Sequence, residues 1–417
     1  MAFVYTLFVL IVLILLWDFK KGVLLYAPFK LFFNINVRLG IITFDFAVSA
    51  IVLILFIINI QNKKINKFPL KTGFMLYGFL YCLTCFYPDF VPNYIPRVVL
   101  VVLLYGYVYY YSLSSINHVK FALMCYALFG IIMCLNGLLQ PIFGINPLDD
   151  FIQSLSDTEQ QHIFIDNKLE RMGQIRYRSF IPHAISYGVS CVVILFLLFW
   201  GYMNLKLNFR SRTFLITSIV LLMTGIIICG SRTPILGFLP LSFLLITGDI
   251  KLNNKQWIYI SLLVIILLYI SGDYIIYSIK SIFDENLAKE ARGSTLTLRY
   301  NQYALAWNWF KENIWFGKGM LFDPYSINKH IYGAESVWLP LLMNNGLFGV
   351  VAYILLYVHL FKKAKAVIHR NYIYVFLSGW LIMRTATSLI GVTDIHMLAL
   401  YFCIYRYSEY LDFRKYA

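Results

Sequence analysis

The sequence predicts an all-α, polytopic membrane protein, and three observations support that prediction. Hydrophobic residues make up 60% of the 417 positions, charged residues only 13%, and the mean hydropathy is +0.71. A soluble domain of this size carries about 25% charged residues. Apolar runs of ~17–25 residues, each long enough to cross ~30 Å of hydrocarbon, recur along the whole chain. We therefore expect residues 1–417 to form a single integral membrane domain.

Twelve apolar runs are expected to cross the membrane. They lie at about 2–17, 41–60, 69–87, 97–114, 119–141, 181–202, 213–230, 234–249, 256–275, 336–360, 371–390 and 396–411. Residues 22–34 are also apolar, but they are short and interrupted by Pro28 and Lys30, so we expect a re-entrant or interfacial helix there. The net charge of +15 arises mainly in short loops, where lysine and arginine set topology, so it does not indicate a nucleic-acid-binding protein.

The basic residues predict the orientation of the chain. Lysines and arginines concentrate in every second loop, and the positive-inside rule places these loops and both termini in the cytoplasm. Two longer polar loops, 144–180 and 276–335, then lie on the outer side. Within the second loop, we expect 297–313 to form an amphipathic helix at the membrane interface. The seven cysteines all lie in or beside apolar runs and imply no disulfide framework.

The turn Gly230-Ser-Arg-Thr-Pro234 is the first candidate site, because it joins two apolar runs on the outer side with almost no loop. Proline favours the first turn of a helix and serine or threonine its cap, so the next helix should begin here, with its N-terminus beside Arg232. Free N–H groups and a partial positive charge at that position favour an anion. The alternative is a tight turn whose arginine only reaches lipid headgroups.

Other arginines lie on or near the predicted outer side. Arg384 is inside the run 371–390, where a charge is costly and usually faces a cavity or a partner. Guanidinium groups bind phosphate through paired hydrogen bonds, so several outer arginines facing the membrane would suit a lipid pyrophosphate. Contacts to lipid headgroups, or salt bridges within the loops, are the alternative for each of them. The candidates are Arg176, Arg178, Arg292, Arg299 and Arg384.

Glu335 is the last charged residue before the run 336–360. A carboxylate at a helix N-terminus is often only a favourable partner of the helix dipole. At the mouth of a membrane cavity it could instead accept a proton from a sugar hydroxyl. The sequence contains no P-loop, no HExxH motif and no histidine cluster with metal-ligand spacing, so no metal site is predicted.

The order and spacing of these features resemble the O-antigen ligase/polymerase family of bacterial envelope proteins. Gly230-Ser-Arg-Thr-Pro234 is similar to that family's Ser-Arg turn, and Arg176 and Arg178 before Ser-Phe-Ile-Pro-His183 resemble its earlier arginine motif. Arg299 with Tyr303, followed by Asn313-Ile-Trp-Phe-Gly-Lys-Gly319, is similar to its Arg-xxx-Trp helix and the glycine turn after it. Glu335-Ser-Val-Trp-Leu-Pro-Leu-Leu-Met-Asn-Asn-Gly-Leu-Phe-Gly349 resembles the start of its next helix. The likeness spans roughly 170–360.

The resemblance implies a glycosyltransferase with the GT-C-type membrane fold, acting on the periplasmic face of the bacterial inner membrane without metal or other cofactor. The implied donor and acceptor are undecaprenyl-pyrophosphate-linked oligosaccharides, met among membrane lipids. A polysaccharide chain-length regulator is a candidate partner. We expect Glu335 and Arg299 to be catalytic, with Glu335 assigned as the base from its position alone. The residues expected to bind pyrophosphate or glycan are Arg176, Arg178, Arg232, Arg292, Arg384, His183 and Trp338.

Two activities occur in this family. Ligases pass the glycan to lipid A–core, whereas polymerases pass a growing chain to the next lipid-linked repeat unit. Where ligases carry His-Asn, this chain has Glu335-Ser336, which favours a polymerase. A flippase or another transporter is the alternative from a different class, but it predicts paired broken helices in two halves, and the sequence shows no such symmetry.

Overall fold

The structure, a computed structural model, is mostly helical. It describes residues 2–32, 37–40, 42–60, 68–87, 91, 94–154, 170–171, 174–181, 183–237, 240, 276–277, 280, 284, 286–287, 295–319, 321–322, 336–387 and 393–416. The strands within these ranges form two short antiparallel hairpins. In the first, β1 (Arg38–Leu39) pairs with β2 (Ile42–Thr43), and in the second β3 (Glu170–Arg171) pairs with β4 (Gln174–Ile175).

The helices are numbered in chain order, and two of them contain π-helical turns. They are α1 (Ala2–Trp17), α2 (Phe19–Phe29), α3 (Phe44–Ile60), α4 (Lys71–Leu83), α5 (Tyr94–Ser112), α6 (Ile116–Phe143), α7 (Pro147–Ser154), α8 (Ala184–Asn204), α9 (Phe209–Ile228), α10 (Leu296–Glu312), α11 (Trp338–Ala364), α12 (Arg370–Thr385) and α13 (Thr393–Tyr416). The π-helical stretches are Val99–Leu104 in α5 and Leu341–Asn345 in α11.

Five of the described helices, α5, α6, α8, α9 and α11, are long and apolar enough to cross a membrane. Each coincides with a predicted run, and the shorter helices α1, α3, α4 and α12, together with the less apolar α13, coincide with five more. The predicted runs 234–249 and 256–275 lie almost entirely outside the described residues. The chain is therefore an integral membrane protein, while the count of twelve spans stays a prediction.

Helix α8 is at the centre of the helix bundle and α9 is near its edge. In the apolar window of α8, 83% of the residues are buried, against 28% in α9. Helix α8 packs against α6, α9 and α13, so its side chains face other helices on nearly every side. A helix that is apolar all round is expected at such a position.

The short helix expected at 22–34 is present as α2 and packs among other helices of the bundle, while its expected re-entrant or interfacial position stays a prediction. It begins directly after α1, because the Asp18 side chain accepts a hydrogen bond from the Lys21 amide at 3.1 Å and caps a new helix. Its buried residues face α1, α5 and α6, and they are Gly22, Val23, Leu24, Tyr26, Ala27 and Pro28.

Lys30, which follows α2, is fully buried and forms an ion pair with Asp45 of α3, with 2.7 Å between Nζ and Oδ1. Asp45 also accepts a hydrogen bond of 2.9 Å from the Tyr26 hydroxyl. Lys30 donates to Ser49 Oγ at 3.0 Å, and its Nζ lies 3.9 Å from the ring centroid of Tyr105. A buried charge pair is tolerated when its remaining hydrogen-bonding capacity is met in this way. The pair connects α2, α3 and α5.

Candidate functional site

Helix α10 confirms the helix predicted at 297–313. Its N-cap is Thr295, whose side chain accepts a hydrogen bond from the Leu298 amide at 3.0 Å. One face is buried, at Gln302, Ala306 and Phe310, and the opposite side exposes the aromatic residues Tyr300 and Trp307. Because the exposed side also carries aromatic residues and the buried side carries Gln302, α10 does not divide into an apolar and a polar face as an amphipathic helix does, and its place at the membrane interface stays a prediction.

Arg299 lies on the face of α10 that is directed towards the start of α11. Arg299 and Tyr303 are four residues apart, so their side chains are neighbours on the helix surface. The Tyr303 hydroxyl donates a hydrogen bond of 2.7 Å to Ser336 Oγ. Ser336 directly follows Glu335, so the helix that carries the predicted cation contacts the neighbour of the predicted base.

The start of α11 is also bound to the end of α12. The Val337 amide donates to the Arg384 carbonyl oxygen at 3.0 Å, and the Trp338 indole N–H donates to Thr385 Oγ1 at 3.1 Å. Ser336 Oγ accepts a bond from the Trp338 amide at 3.3 Å, which satisfies one of the free N–H groups at this helix end. The helices α10 and α12 therefore both contact the start of α11, at residues 336–338.

Arg384 is almost completely buried, with 1% of its surface exposed. Its Nε lies 3.5 Å from the Tyr353 hydroxyl oxygen, and the guanidinium carbon lies 5.5 Å from the Trp380 ring centroid, close enough for a cation–π contact. An arginine buried at the end of an apolar helix is a functional candidate because its burial is costly. The contacts with Tyr353 and Trp380 fit the expectation that a charge at this position faces a cavity or a partner, while its role in binding the substrate stays a prediction.

The turn after α9 has the conformation expected from its sequence. Gly230 has φ +56°, a left-handed conformation that glycine adopts without strain. Ser231 is buried and donates a hydrogen bond of 3.2 Å to the Cys229 carbonyl oxygen. A helical segment follows at once, at 232–237, and it starts with the half-buried Arg232. Ser231 is therefore hydrogen-bonded to the residue that follows α9, while Arg232 is the first residue of the next helical segment.

The segment 232–237 lies between α8 and α12. A Cβ added at Gly188 of α8 would overlap with the Pro234 ring, and one added at Gly237 would overlap with the Met383 side chain. These close approaches need glycine, because any larger side chain would push the helices apart. Since Met383 precedes Arg384, the helical segment that starts at Arg232 packs beside the helix end that carries Arg384.

Arg176 lies next to the same turn, because the amide of Tyr177 donates a hydrogen bond of 3.2 Å to the Ile228 carbonyl oxygen. A continuous chain of contacts thus connects four predicted arginines. It runs from the segment around Arg176, through the turn at Arg232 and the end of α12 at Arg384, to the face of α10 at Arg299.

Arg178 and His183 have structural contacts of their own. Arg178 is buried and forms an ion pair with Asp149, and its Nη1 donates to the Ile181 carbonyl oxygen at 3.3 Å. His183 is exposed and caps α8, with its Nδ1 accepting from the Ile185 amide at 3.2 Å. Arg178 therefore stabilises the loop through its ion pair, and His183 caps a helix. The role of both residues in substrate binding stays a prediction.

The glycine turn after α10 is held against the π-helical part of α11. Lys318 and Gly319 donate backbone hydrogen bonds of 2.6 and 3.2 Å to the carbonyl oxygens of Met343 and Asn344. Gly317 has φ +68°, and Gly346 at the end of the π-helical turn has φ +60°. The π-helical stretch of α11 that ends at Gly346 is therefore the place where the loop after α10 is fixed to α11.

Gly317→Ala is expected to weaken the packing of the glycine turn against α11. A Cβ at Gly317 would lie 2.5 Å from the Met343 carbonyl oxygen and would also strain the left-handed backbone, so we expect a loss of about 3 kcal/mol in the free energy of unfolding. The matched control is Gly144→Ala, because Gly144 has φ +70° but nothing within 4 Å of the added Cβ, and its cost should be about 1 kcal/mol. Thermal unfolding of the two purified variants measures the difference, and equal losses would contradict the packing argument.

Two predicted site residues, Arg292 and Glu335, lie outside the described residues. Within the described part of the chain, no group of three or more His, Cys, Asp or Glu side chains is placed to hold a metal ion. The structure adds Gln302, which is 1% exposed and whose amide nitrogen and oxygen have no hydrogen-bond partner among the described residues. In the sequence, only the position of Gln302 three residues after Arg299 could have indicated that it lies near the candidate site. It also adds Tyr353, which no sequence spacing could connect to Arg384.

Residues 217–354, about a third of the chain, match the family described as O-antigen ligase. The resemblance to the O-antigen ligase/polymerase family is thereby confirmed over a shorter range than expected. The match includes Arg232, Arg299, Glu335 and Trp338, and it ends before Arg384. No curated protein matches the chain. The family supports an enzyme of the membrane glycosyltransferase type that acts on lipid-linked glycans.

Proposed function

We propose that this protein is a polymerase that joins undecaprenyl-pyrophosphate-linked oligosaccharide repeat units into O-antigen or a related surface polysaccharide. The reaction would take place on the periplasmic face of the inner membrane. The observation that carries this proposal is the meeting of α10, α11 and α12 at residues 336–338, within and beside the region that matches the family. This arrangement places Tyr303, the neighbour of Arg299 on α10, in contact with the residue that follows Glu335.

In the proposed reaction, a hydroxyl of the acceptor sugar attacks the anomeric carbon of the donor glycan. The bond between that carbon and the pyrophosphate oxygen breaks, and undecaprenyl pyrophosphate leaves with the bonding electrons. Glu335 takes the proton of the attacking hydroxyl. The guanidinium groups of Arg299 and of the neighbouring arginines stabilise the negative charge that develops on the leaving diphosphate. No nucleotide is required, because the pyrophosphate is itself the leaving group.

A deletion strain of the organism that encodes this protein, complemented with the gene, tests the proposal, with lipopolysaccharide separated on a gel. A polymerase deletion should leave core carrying a single repeat unit, and the gene should restore the ladder. Loss of all capped core, with long lipid-linked chains accumulating, would instead identify a ligase. Repeat units that remain on the cytoplasmic side would indicate a flippase. Either of these two results would overturn the polymerase assignment.

Glu335→Gln is expected to lower the polymerisation rate about 100-fold, because glutamine has nearly the same shape but cannot accept the proton. Glu312→Gln is the matched control, since Glu312 is an exposed carboxylate at the end of α10 that pairs with Lys318. Polymer length and amount are compared at equal expression. A Glu335→Gln variant that makes normal polymer would exclude Glu335 as the base.

A further inference from the structure

A groove with an apolar floor runs along α4 on the side that faces α5. Its volume is about 880 Å³, within the range of small-ligand sites in proteins. Phe74, Gly78 and Leu103 are buried at its floor, while Met75 and Phe79 stand exposed along one side. The groove belongs to the described part of the chain and does not include the arginines of the candidate active site.

Two features of the sequence create this groove. The π-helical stretch Val99–Leu104 widens α5 where it lines the groove, and π-helical turns of this kind are frequent at functional sites. Opposite it, Gly78 leaves the floor open, since a Cβ there would lie 2.9 Å from Leu103 Cδ1. From Lys71 to Cys82 the groove follows 12 residues of helix, a rise of about 16 Å, which is about half of the ~30 Å hydrocarbon thickness. Its length therefore suits a chain from one leaflet.

Lys71 lies at one end of the groove, in the first turn of α4. This is the wrong end of a helix for a cation, because the N-terminus already carries a partial positive charge. The N-cap residue, Leu70, offers no side-chain hydrogen bond, and the first turn contains no acidic residue. The Lys71 amide donates to the Phe68 carbonyl oxygen at 3.4 Å, so a bound anion would satisfy the remaining N–H groups of the first turn together with the lysine charge.

The Lys71 end of α4 lies beside the basic end of α11. A Cβ added at Gly73 would be 2.8 Å from His359 Cβ, and His359 lies one turn before Lys362 and Lys363. Lysines gathered at one end of membrane helices are typical of the cytoplasmic side, where anionic phospholipids are concentrated. The charge at this end, and not only the apolar groove, thus indicates the ligand.

We propose that the groove between α4 and α5 binds one anionic phospholipid, with an acyl chain along Phe74, Gly78 and Leu103 and its phosphate at Lys71 and the α4 N-terminus. The site is separate from the predicted active site, and its lipid is neither donor nor acceptor. It would hold α4, which packs on α11, in a fixed position from the membrane side.

Native mass spectrometry of the full-length protein, purified and delipidated in detergent, tests this proposal. The probes are phosphatidylglycerol and phosphatidylcholine, added separately at equal concentration. We expect one tightly held phosphatidylglycerol and about a fivefold preference for it over phosphatidylcholine, the effect of one lysine near an anionic headgroup. Lys71→Gln should remove this preference, while Lys206→Gln, at an exposed lysine that does not line the groove, should keep it.

A second pair of variants tests the acyl-chain part of the site. Gly78→Phe should fill the groove and lower the retention of both lipids at least tenfold, whereas Ile58→Phe, at an exposed position of α3, should leave retention unchanged. Because Gly78→Phe could also disturb folding, the Lys71→Gln result decides independently. Equal binding of the two lipids by the wild type would overturn the proposal. A preserved preference in Lys71→Gln would overturn it as well. Displacement of phosphatidylglycerol by undecaprenyl phosphate would assign the groove to the substrate, and a dimer that Gly78→Phe dissociates would assign it to a second copy of the chain. Either result would also overturn the proposal.

Discussion

Arg299→Ala is expected to abolish detectable polymer, with the rate of glycosyl transfer falling about 10²–10³-fold. Removal of one preorganised donor from a developing negative charge costs about that much, because the site is arranged before the charge appears. The complemented deletion strain provides the measurement, with lipid-linked repeat units expected to accumulate in place of the ladder.

Two variants on the same helix make this prediction specific. Lys311→Ala removes an exposed cation from the last turn of α10 and should leave the polymer unchanged. Tyr303→Phe removes only the hydroxyl that donates to Ser336 Oγ, so it should lower the rate about fivefold, as expected for one neutral hydrogen bond of about 1 kcal/mol at a site that positions the reactants. Normal polymer from Arg299→Ala would exclude Arg299 from the reaction, whatever the other two variants do.

The parts of the fold that depend on local sequence could be predicted, and the site shows why. Helix α10 and the glycine turn that ends it follow from caps, glycines and local composition, all of which are read over a few residues. The positive φ of Gly230 and Gly317 agrees with the turns placed at these residues from the sequence. Such features need no knowledge of the rest of the chain.

Contacts between distant segments could not be predicted in the same way. Nothing in a single sequence connects Arg384 with Tyr353, or Trp338 with Thr385, because each of these pairs joins helices whose relative position depends on the whole bundle. Arg178 illustrates the consequence. From the sequence, Arg178 is predicted to bind phosphate like the other arginines. In the structure it forms an ion pair with the buried Asp149, a contact that only tertiary packing creates.

Lys30 is a second residue whose tertiary contact could not be predicted from the sequence, and its substitution is expected to have a large effect on stability. From the sequence, Lys30 is interpreted only as an interruption of a short apolar stretch, but in the structure its Nζ lies 2.7 Å from Asp45 Oδ1 inside the bundle. Lys30→Met leaves Asp45 charged and buried beside Tyr26, so we expect a loss of about 3–5 kcal/mol in the free energy of unfolding. The yield of folded, monodisperse protein in detergent and its unfolding midpoint measure this loss.

The decisive comparison is with the double variant Lys30→Met/Asp45→Asn. Asparagine keeps an oxygen that can accept the Tyr26 hydroxyl, and the double variant contains no unpaired charge, so most of the lost stability should return. Lys21→Met is the matched control, because it breaks the exposed pair of Lys21 with Asp18 at 2.9 Å, and it should cost less than about 1 kcal/mol. If Lys30→Met were as stable as Lys21→Met, the buried pair would not hold α2 and α3 together. If the double variant were no better than the single one, the contact of Lys30 with Ser49 and Tyr105, and not its charge pairing, would be what stabilises this part of the bundle.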